Sequence, residues 1–527
     1  MKKLLLILLV ISVVPFGYSE EEKPDSVTLE IPPVIVEIEN EDHKELSINI
    51  PDVNDLVLPG FGLTLPDPAD ISVQELPFET LPLPVLTDTA PEHEGSFFNE
   101  GTLGAGNNNQ LIGYLRLFKL GKGLKYSILF SHLGIDGYGT RDAGKGFFNR
   151  EELFRGSVSN EGETVSYSGE GSLVERENGL QEQSSVYSSI VHRFREASAS
   201  LEHMGEKWGW NISASVKGAD RVLSGSTPLT TGTIIISPEA RLIYENGPVE
   251  LFLSGDYRME YRKTEDRIFQ DTSSTLGMGY HFPFLDINTE VSAKYLFNSG
   301  FAFPFSISLS GFAGDLFRFR SSGGLKIVSY DNYSLWDTCP FAESREGTAE
   351  NWFVSMDLRS DLSASISLSA SGKWNLIYNY AGFTADIFPD PITGLFTVPV
   401  SREYENLSLS GGADIVIAKN GVLSILWKGQ FLSQTDPFKP LQLIEAEYRF
   451  GSGYPGISGS VNTWWPVYPM ESIPGIGGSL SYNTGKGVSL VAEAKDILSL
   501  VSGGDRKLFG PYIDSSGELS LKIKISL

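Results

Sequence analysis

The feature that most constrains this chain is an alternation of apolar and polar residues through about 430 residues, from about residue 98 to the last residue. In one example, Leu362, Ala364, Ile366, Leu368 and Ala370 alternate with serines. Successive side chains of a β-strand point to opposite faces, so each such run has one apolar face and one polar face. Convincing i, i+3, i+4 recurrence, which is typical of an amphipathic helix, is not found. The sequence therefore predicts an all-β protein.

The connections between these runs are of two kinds. Several are short and contain glycine, which indicates tight hairpins, and others are long and polar or aromatic. Short turns that alternate with long loops are typical of an outer-membrane barrel, whose turns are periplasmic and whose loops are external. The clearest short turns lie at 121–123, 246–247, 420–421 and 484–487, and the clearest long loops at 134–150, 335–350, 381–401 and 501–516.

Alternation alone also fits an array of soluble β-sandwiches, and this alternative stays open at the level of the sequence. Three features favour the membrane barrel. The strand pattern has no break that would divide it into sandwiches of about 100 residues. Tryptophans lie near the ends of runs, as in an interfacial aromatic belt, and the final run can pair with the first strand to leave no open edge. The tryptophans are Trp208, Trp210, Trp352, Trp464 and Trp465, and the apolar residues of the closing strand are Leu519, Leu521, Ile523, Ile525 and Leu527.

We therefore expect a closed antiparallel transmembrane β-barrel of about 18–22 strands, preceded by an extended N-terminal segment. Lys2 and Lys3 precede an apolar run over 4–14, and small residues follow it before three glutamates, which predicts a cleaved signal peptide. The run is too short to span a membrane as a helix. The predicted divisions are a signal peptide (1–19), an acidic segment (20–94) and the barrel (95–527).

The acidic segment 20–94 differs in composition from the rest of the chain. It holds 19 Asp or Glu, two Lys and 11 of the 28 prolines, so it carries −17 of the total formal charge of −25. Proline at this density favours extended chain over helix or sheet. Three interpretations remain open: a disordered periplasmic tail, a plug in the lumen, and an element that couples the barrel to an energy source. No basic stripe is found, so nucleic acid is not expected as a partner.

The combination of signal peptide, hairpin array and amphipathic last strand resembles a bacterial outer-membrane β-barrel protein over roughly 98–527. The stretch 101–117 is similar to the first strands of barrels related to TonB-dependent receptors. Residues Val34, Ile35, Val36 and Glu37 resemble the short apolar box that these receptors present to their energising partner. Two departures are that 20–94 is too rich in proline to form the globular plug of such receptors, and that the chain ends in Leu527 instead of an aromatic residue.

This resemblance implies a location in the outer membrane of a diderm bacterium after signal-peptide cleavage, with membrane lipid and the barrel assembly machinery as partners. A barrel of about 16 strands or more cannot fill its interior with side chains, so the lumen is expected to hold water or a plug. The primary functional hypothesis is a porin-like channel for small solutes, with a net-acidic wall that favours cations. The alternatives are an uptake barrel like a TonB-dependent receptor, with the N-terminal segment as coupling or plug element, and a structural or adhesive surface protein. The candidate lumen-facing residues are Glu290, Lys294, Glu445, Glu447 and Arg449.

Motifs for catalysis and cofactor binding are weak. The stretch 139–146 has the spacing of a phosphate loop, but Gly146 replaces the required Ser or Thr. The glycines of 451–456 match a dinucleotide fingerprint, yet a strand pattern follows where a helix should begin. Ser131 and His132 are adjacent in a predicted strand, so they point to opposite faces and cannot easily share a proton. The six histidines show no metal-ligand spacing. We predict no enzyme activity, no cofactor and no metal site.

Overall fold

The computed structural model describes residues 96–121, 123–138, 141–162, 164–297, 299–314, 316–383, 388–418, 420–434, 441–451, 456–468, 474–485, 487–502, 506–509, 511–515 and 517–526. The predicted signal peptide and the acidic segment 20–94 lie outside the described residues.

The described residues form strands almost throughout, with two short helices, α1 (Asn332–Thr338) and α2 (Ile497–Ser502). No helix in this part of the chain is long and apolar enough to cross a membrane. The strands are β1 (Ser96–Gly106), β2 (Leu111–Leu120), β3 (Lys125–Asp136), β4 (Phe148–Glu161), β5 (Val165–Gly179), β6 (Tyr187–Met204), β7 (Trp208–Gly225), β8 (Leu229–Asn246), β9 (Val249–Arg262), β10 (Arg267–His281), β11 (Leu285–Leu296), β12 (Gly300–Ala302), β13 (Phe305–Ala313), β14 (Phe317–Ser329), β15 (Thr348–Ser363), β16 (Ile366–Ala381), β17 (Val400–Ala418), β18 (Gly421–Leu432), β19 (Gln442–Gly451), β20 (Gly456–Tyr468), β21 (Gly475–Asn483), β22 (Val488–Lys495), β23 (Arg506–Phe509), β24 (Tyr512–Asp514) and β25 (Glu518–Ser526).

The main sheet is a closed antiparallel barrel. Each wall strand pairs with the next along the chain, and β25 pairs with both β22 and β1, so no edge is left open. The sheet has 23 strands, but β12 and β13 both pair with β11 and share one wall position, which gives 22 positions. Pro304 separates these two strands because proline has no N–H to donate to the ladder. The predicted fold class is confirmed, and the soluble sandwich array is excluded.

The outer surface of the wall is an apolar belt. Alternate side chains along the strands are large, hydrophobic and exposed, such as Leu276 at 62 %, Val291 at 58 % and Val354 at 54 %. The residues between them are mainly serines and charged residues on the inner face. This arrangement follows directly from the alternation in the sequence, and it is the arrangement that a barrel surrounded by lipid requires.

The two ends of the barrel differ. At the turn end, the connections contain only a few residues, as between β8 and β9, where Gly247 has a φ of 61° that favours glycine. At the loop end, some connections are equally short, such as 226–228 between β7 and β8, but the long connections lie here, and three of them span 330–347, 382–399 and 496–517. All the short turns predicted from the sequence lie at the turn end and all the predicted long loops at the loop end. Because Ser96 pairs with Leu120 just before a turn, β1 begins at the turn end.

Candidate functional site: a lid across the mouth of the barrel

Three segments at the loop end fold onto one another. They are the α1 segment (330–347), the second segment (388–399) and the β23–β24 hairpin (506–514), and together we call them the lid. In the α1 segment, the N-cap residue Asp331 accepts a hydrogen bond from the Ser334 N–H at 2.7 Å, which satisfies a free donor of the first turn. The helix therefore has a defined start, and it buries Leu335 and Trp336 in a cluster with residues of the barrel wall.

Buried aromatic residues join the three lid segments. Phe341 of the α1 segment and Tyr512 of the hairpin stack with ring centroids 3.7 Å apart, and Phe396 of the second segment meets Tyr512 edge-on at 5.8 Å. Tyr512 also donates a hydrogen bond from its hydroxyl group to the Gly394 carbonyl at 2.6 Å. The Phe396 N–H donates to the Phe341 carbonyl at 2.7 Å. Burying each of these rings contributes about 1.5–3 kcal/mol, so the segments hold together as one packed unit.

The lid is seated on the inner wall on both sides of the mouth. One buried cluster contains Phe194 from β6, Trp336 from the lid and Ala381 from β16. In a barrel of 22 positions, β6 and β16 are nine positions apart, which is nearly opposite. A cluster that includes both must therefore bridge the mouth of the barrel.

The first polar anchor of the lid is Arg221 on β7. Its side chain is buried and donates hydrogen bonds to the main-chain carbonyls of Ala342, at 2.7 Å, and of Glu343. The guanidinium also lies 4.7 Å from the ring of Trp336, whose indole N–H donates to the Glu343 carbonyl at 3.0 Å. A buried cation is tolerated only when its donors are satisfied, and here lid carbonyls satisfy them. The anchor therefore depends on the lid being in place.

The second polar anchor is built around Glu260 on β9, which is fully buried. Its carboxylate accepts hydrogen bonds from Arg262 at 3.0 Å and from Arg258 at 3.1 Å. Arg262 in turn donates to the Arg345 carbonyl of the lid at 2.9 Å, and Arg258 lies 3.6 Å from Asp331. The arginine side chains of β9 thus contact both ends of the α1 segment.

Two further contacts attach the lid to β5 and to the connection that follows it. Arg176 bridges Glu151 of β4, at 2.6 Å, and Asp337 of α1, at 2.5 Å. Gln181 forms two hydrogen bonds with the main chain of Ile513 in the hairpin, both at 2.8 Å. Polar contacts from β5, β7, β9 and the connection between β5 and β6 therefore hold the lid.

Burial shifts the acid–base equilibria of lid residues. It raises the pKa of Asp514 in the hairpin; nearby Glu518 adds to this rise, and Lys495, whose Nζ lies 3.9 Å from the carboxylate, opposes it. Burial, with Glu196 nearby, raises the pKa of Tyr333 to about 12. Both groups are therefore held in their neutral forms more strongly than in water.

Below the lid, the inner wall forms an open cavity of about 440 Å³. Serines from four adjacent strands cover one side of it, and Ser168 and Ser200 share a hydrogen bond of 2.7 Å across two of these strands. The other side carries Arg258, Asp271 and Lys294. A cavity that is lined by hydroxyl groups and paired charges favours water or a polar solute over an apolar solute.

The predicted lumen residues lie on two separate parts of the wall. On β11, Lys294 is 3.5 Å from Asp271, and Glu290 accepts a hydrogen bond from Ser306 at 3.3 Å. These two residues alternate with the exposed Val291. On β19, the charged residues alternate with Ile444, Ala446 and Tyr448. There Glu445 pairs with Lys428 at 2.7 Å, and Arg449 with Glu447 at 3.5 Å. Of the predicted residues, only Lys294 reaches the cavity beneath the lid.

The predicted closing strand corresponds to β25. Leu521, Ile523 and Ile525 are exposed and lie opposite β1, with Ile525 opposite Gly101. Leu519 is exposed as well. Leu527 lies outside the described residues, and so does the predicted coupling box Val34, Ile35, Val36 and Glu37. Within the described part of the chain, no three His, Cys, Asp or Glu side chains come together in a way that could hold a metal ion.

Comparison with known proteins gives similarity of structure without similarity of sequence. No family model and no curated protein sequence matches the chain. Among solved structures, it is similar to a double mutant of the ferric enterobactin receptor PfeA from Pseudomonas aeruginosa, with a TM-score of 0.62 and 8% identity over 82% of this chain and 80% of that one. The FrpB iron transporter from Neisseria meningitidis gives 0.61 and 8% over 82% and 81%, and the copper transporter OprC gives 0.60 and 9% over 82% and 80%. At this identity, the similarity establishes the fold alone: the barrel resembles the barrels of these receptor and transporter structures.

Proposed function

We propose that this chain is an outer-membrane uptake barrel that admits a small solute when its lid moves. The observation that carries the proposal is the lid itself, which is packed across the mouth and held by the buried residues Arg221 and Glu260. A porin that is permanently open does not need a structure that closes the mouth of its barrel. The lid therefore favours the receptor-like alternative over the porin-like channel that the sequence first indicated.

The similar structures support the same choice. Their names describe a ferric enterobactin receptor, an iron transporter and a copper transporter, all proteins that handle small solutes. Carried over to this chain, the comparison supports transport, not catalysis, and a place in the outer membrane. We propose that residues 1–19 are removed as a signal peptide. Membrane lipid and the barrel assembly machinery are the corresponding partners.

The N-terminal segment supplies the second part of the proposal. Because β1 begins at the turn end, we propose that the segment 20–94 approaches the barrel from the end that is periplasmic in outer-membrane barrels. From there, residues 34–37 can reach an energising partner, and the remainder of the segment can enter the lumen from below. In this proposal the segment replaces the globular plug of the receptors that the barrel resembles. Glu290, Lys294, Glu445, Glu447 and Arg449 would line the path of the solute.

Liposome swelling tests the role of the lid. We compare the mature chain with an R221Q/R262Q variant, which removes one donor from each polar anchor, and with R193Q as a matched control. Arg193 is half-exposed and pairs with Glu175 at 2.6 Å, away from the lid. Each protein is tested with and without 20–94, since a lumen plug would keep the barrel closed even when the lid is loose.

Without 20–94, we expect slow swelling in small sugars for the mature chain and for R193Q, and fast swelling for R221Q/R262Q. Each lost hydrogen bond to a charged group costs about 1.5–3 kcal/mol, which raises the open fraction at least tenfold. If 20–94 is a plug, the full-length variant swells slowly too. Equal and fast swelling of all three shortened proteins would refute the gated barrel and restore the porin-like hypothesis.

A further inference from the structure

A second cavity lies at the outer rim of the lid, where it meets the turn between β9 and β10. Its volume is about 470 Å³, enough for a small metabolite. Both the wall and the lid contribute to it, so a bound molecule would touch both. Its polar lining consists of Arg262, Glu265, Arg267, Ser344, Arg345 and Glu346.

Arg345 is the least satisfied charged group of this cavity. Its Nε atom is buried and finds no acceptor among the described residues. Its guanidinium lies 4.6 Å from the ring of Tyr330, and the hydrogen bonds at this position are made by its main chain. Burial lowers the pKa of Arg345, which means that its cation is partly desolvated. An oxygen anion that entered the cavity would offset this cost directly.

The other two arginines of the cavity differ in how firmly they are held. Arg262 forms an ion pair with the buried Glu260 at 3.0 Å, and this contact fixes the position of the Arg262 guanidinium group. Arg267 is 58% exposed and pairs with Glu346 at 3.1 Å and Glu265 at 3.8 Å, with the ring of Phe269 5.4 Å away. Exposed ion pairs of this kind are worth less than about 1 kcal/mol, so a solute can displace them. The cavity thus combines one fixed, one movable and one unsatisfied guanidinium.

We infer that this outer cavity is a binding site for a small solute with several negatively charged oxygens, with Arg345 and Arg267 as its principal contacts. Arginine presents its donors in a planar fork that matches a carboxylate or phosphate group. A neutral solute could accept a hydrogen bond from Arg345 but would not balance its charge. A cation is disfavoured because the three guanidinium groups of the cavity outnumber its two carboxylates, Glu265 and Glu346. The inference deepens the proposed function, because Ser344, Arg345 and Glu346 belong to the lid. A solute bound here would therefore change the balance between the closed and open lid.

Isothermal titration calorimetry on the mature full-length protein in detergent micelles tests this site without any transport step. The probes are citrate, which carries three carboxylates, and glucose, which is neutral and of similar size. The variants are R345Q in the lid and R267Q in the wall, with R155Q as matched control. Arg155 lies on β4, away from the cavity, and pairs with Glu170 at 3.5 Å.

We expect citrate to bind the mature protein and R155Q equally, to bind R345Q and R267Q at least about tenfold more weakly, and to bind less tightly in high salt. Heat-modifiable gel migration verifies that each variant is folded, and R267Q alone decides the matter if R345Q is not. Absence of citrate binding, unchanged binding to the folded variants, or equal binding of glucose would overturn the inference. Citrate binding together with fast swelling of the mature chain lacking 20–94 would refute the gate and leave the site intact.

Discussion

At the scale of single residues, two of the arginines that hold the lid donate their hydrogen bonds to main-chain carbonyls. Arg221 and Arg262 each bind a carbonyl of the α1 segment. Such bonds do not depend on which side chains the lid carries, but they do require its backbone to follow one path. A lysine in either place would supply a point charge without the planar fork, so the arginine geometry matters as well as its charge.

Asp514 in the β23–β24 hairpin leads to a prediction about how docking of the hairpin depends on pH. Its pKa is raised above the ordinary value of 3.8 in the docked hairpin. An acid with a raised pKa favours docking at low pH. As the pH rises above 3.8, the undocked form ionises first, so docking weakens until the pH has passed the raised pKa. Hydrogen exchange of the hairpin from pH 4 to pH 8 measures this loss of protection.

In the variant D514N, the side chain cannot ionise, so we expect protection that is independent of pH and higher than that of the original chain at neutral pH. The matched control is D142N, which changes an exposed aspartate that pairs with Lys145 at 2.8 Å. This control should behave like the original chain. Protection that rises with pH in the original chain would contradict the assignment of Asp514 as an acid whose pKa is raised in the docked hairpin.

At the scale of elements, each wall strand separates a lipid face from a lumen face with a period of two. Val354 and Ser355 are neighbours in β15, and Val354 is 54% exposed on the apolar belt, whereas Ser355 shares a hydrogen bond of 2.7 Å with Ser322. Arginine on the lipid face of a barrel costs about 2–4 kcal/mol near the bilayer midplane. We therefore expect V354R to lower the free energy of unfolding by about that amount, as measured by guanidinium unfolding in lipid vesicles.

S355R is the control for this experiment, because its side chain enters a polar lumen. It should cost about 1 kcal/mol, the worth of the lost serine hydrogen bond. Equal destabilisation by the two substitutions would mean that the faces have been assigned wrongly.

The strands were predictable from the sequence, because alternation and glycine turns act over a few residues. The run from Ile444 to Tyr448 specifies its own two faces within β19, and Gly247 marks its own turn. The run from Leu362 to Ala370, predicted as one strand, is instead divided between β15 and β16 by a turn at 364–365, which alternation alone does not reveal. The lid was not predictable in this way. Its contacts join residues far apart in the chain, such as Arg221 and Ala342, which are 121 residues apart, or Gln181 and Ile513, which are 332 apart.

Only part of the candidate site follows from local pattern. Lys294 was identified because it alternates with apolar neighbours, but its partner Asp271 lies on the previous strand and depends on the register. Trp336 and Phe341 occur in a stretch whose only local signal is its length and aromatic content. A long loop rich in aromatic residues indicates a buried surface, without indicating what it packs against.

At the scale of the whole molecule, a 22-strand wall surrounds more space than side chains can fill. The lid covers that space at the loop end, and the acidic segment 20–94 is proposed to enter from the turn end. The formal charge of −25 is mostly a property of that segment, so it says little about the wall. Pairs such as Lys428 with Glu445 and Arg258 with Glu260 neutralise much of the charge on the inner face. In the proposed function, the solute is therefore selected at the rim of the lid more than by the net charge of the chain.

Single-channel recording in planar bilayers tests most directly whether the lid closes an otherwise open lumen. The comparison is between the mature chain without 20–94 and the same chain in which 332–346 is replaced by a short Gly-Ser linker. That replacement removes Trp336, Phe341 and the carbonyls that Arg221 binds. We predict no steady current through the chain that keeps the lid and a large, steady, ohmic current through the chain that lacks it. Equal, steady currents through both would contradict the account.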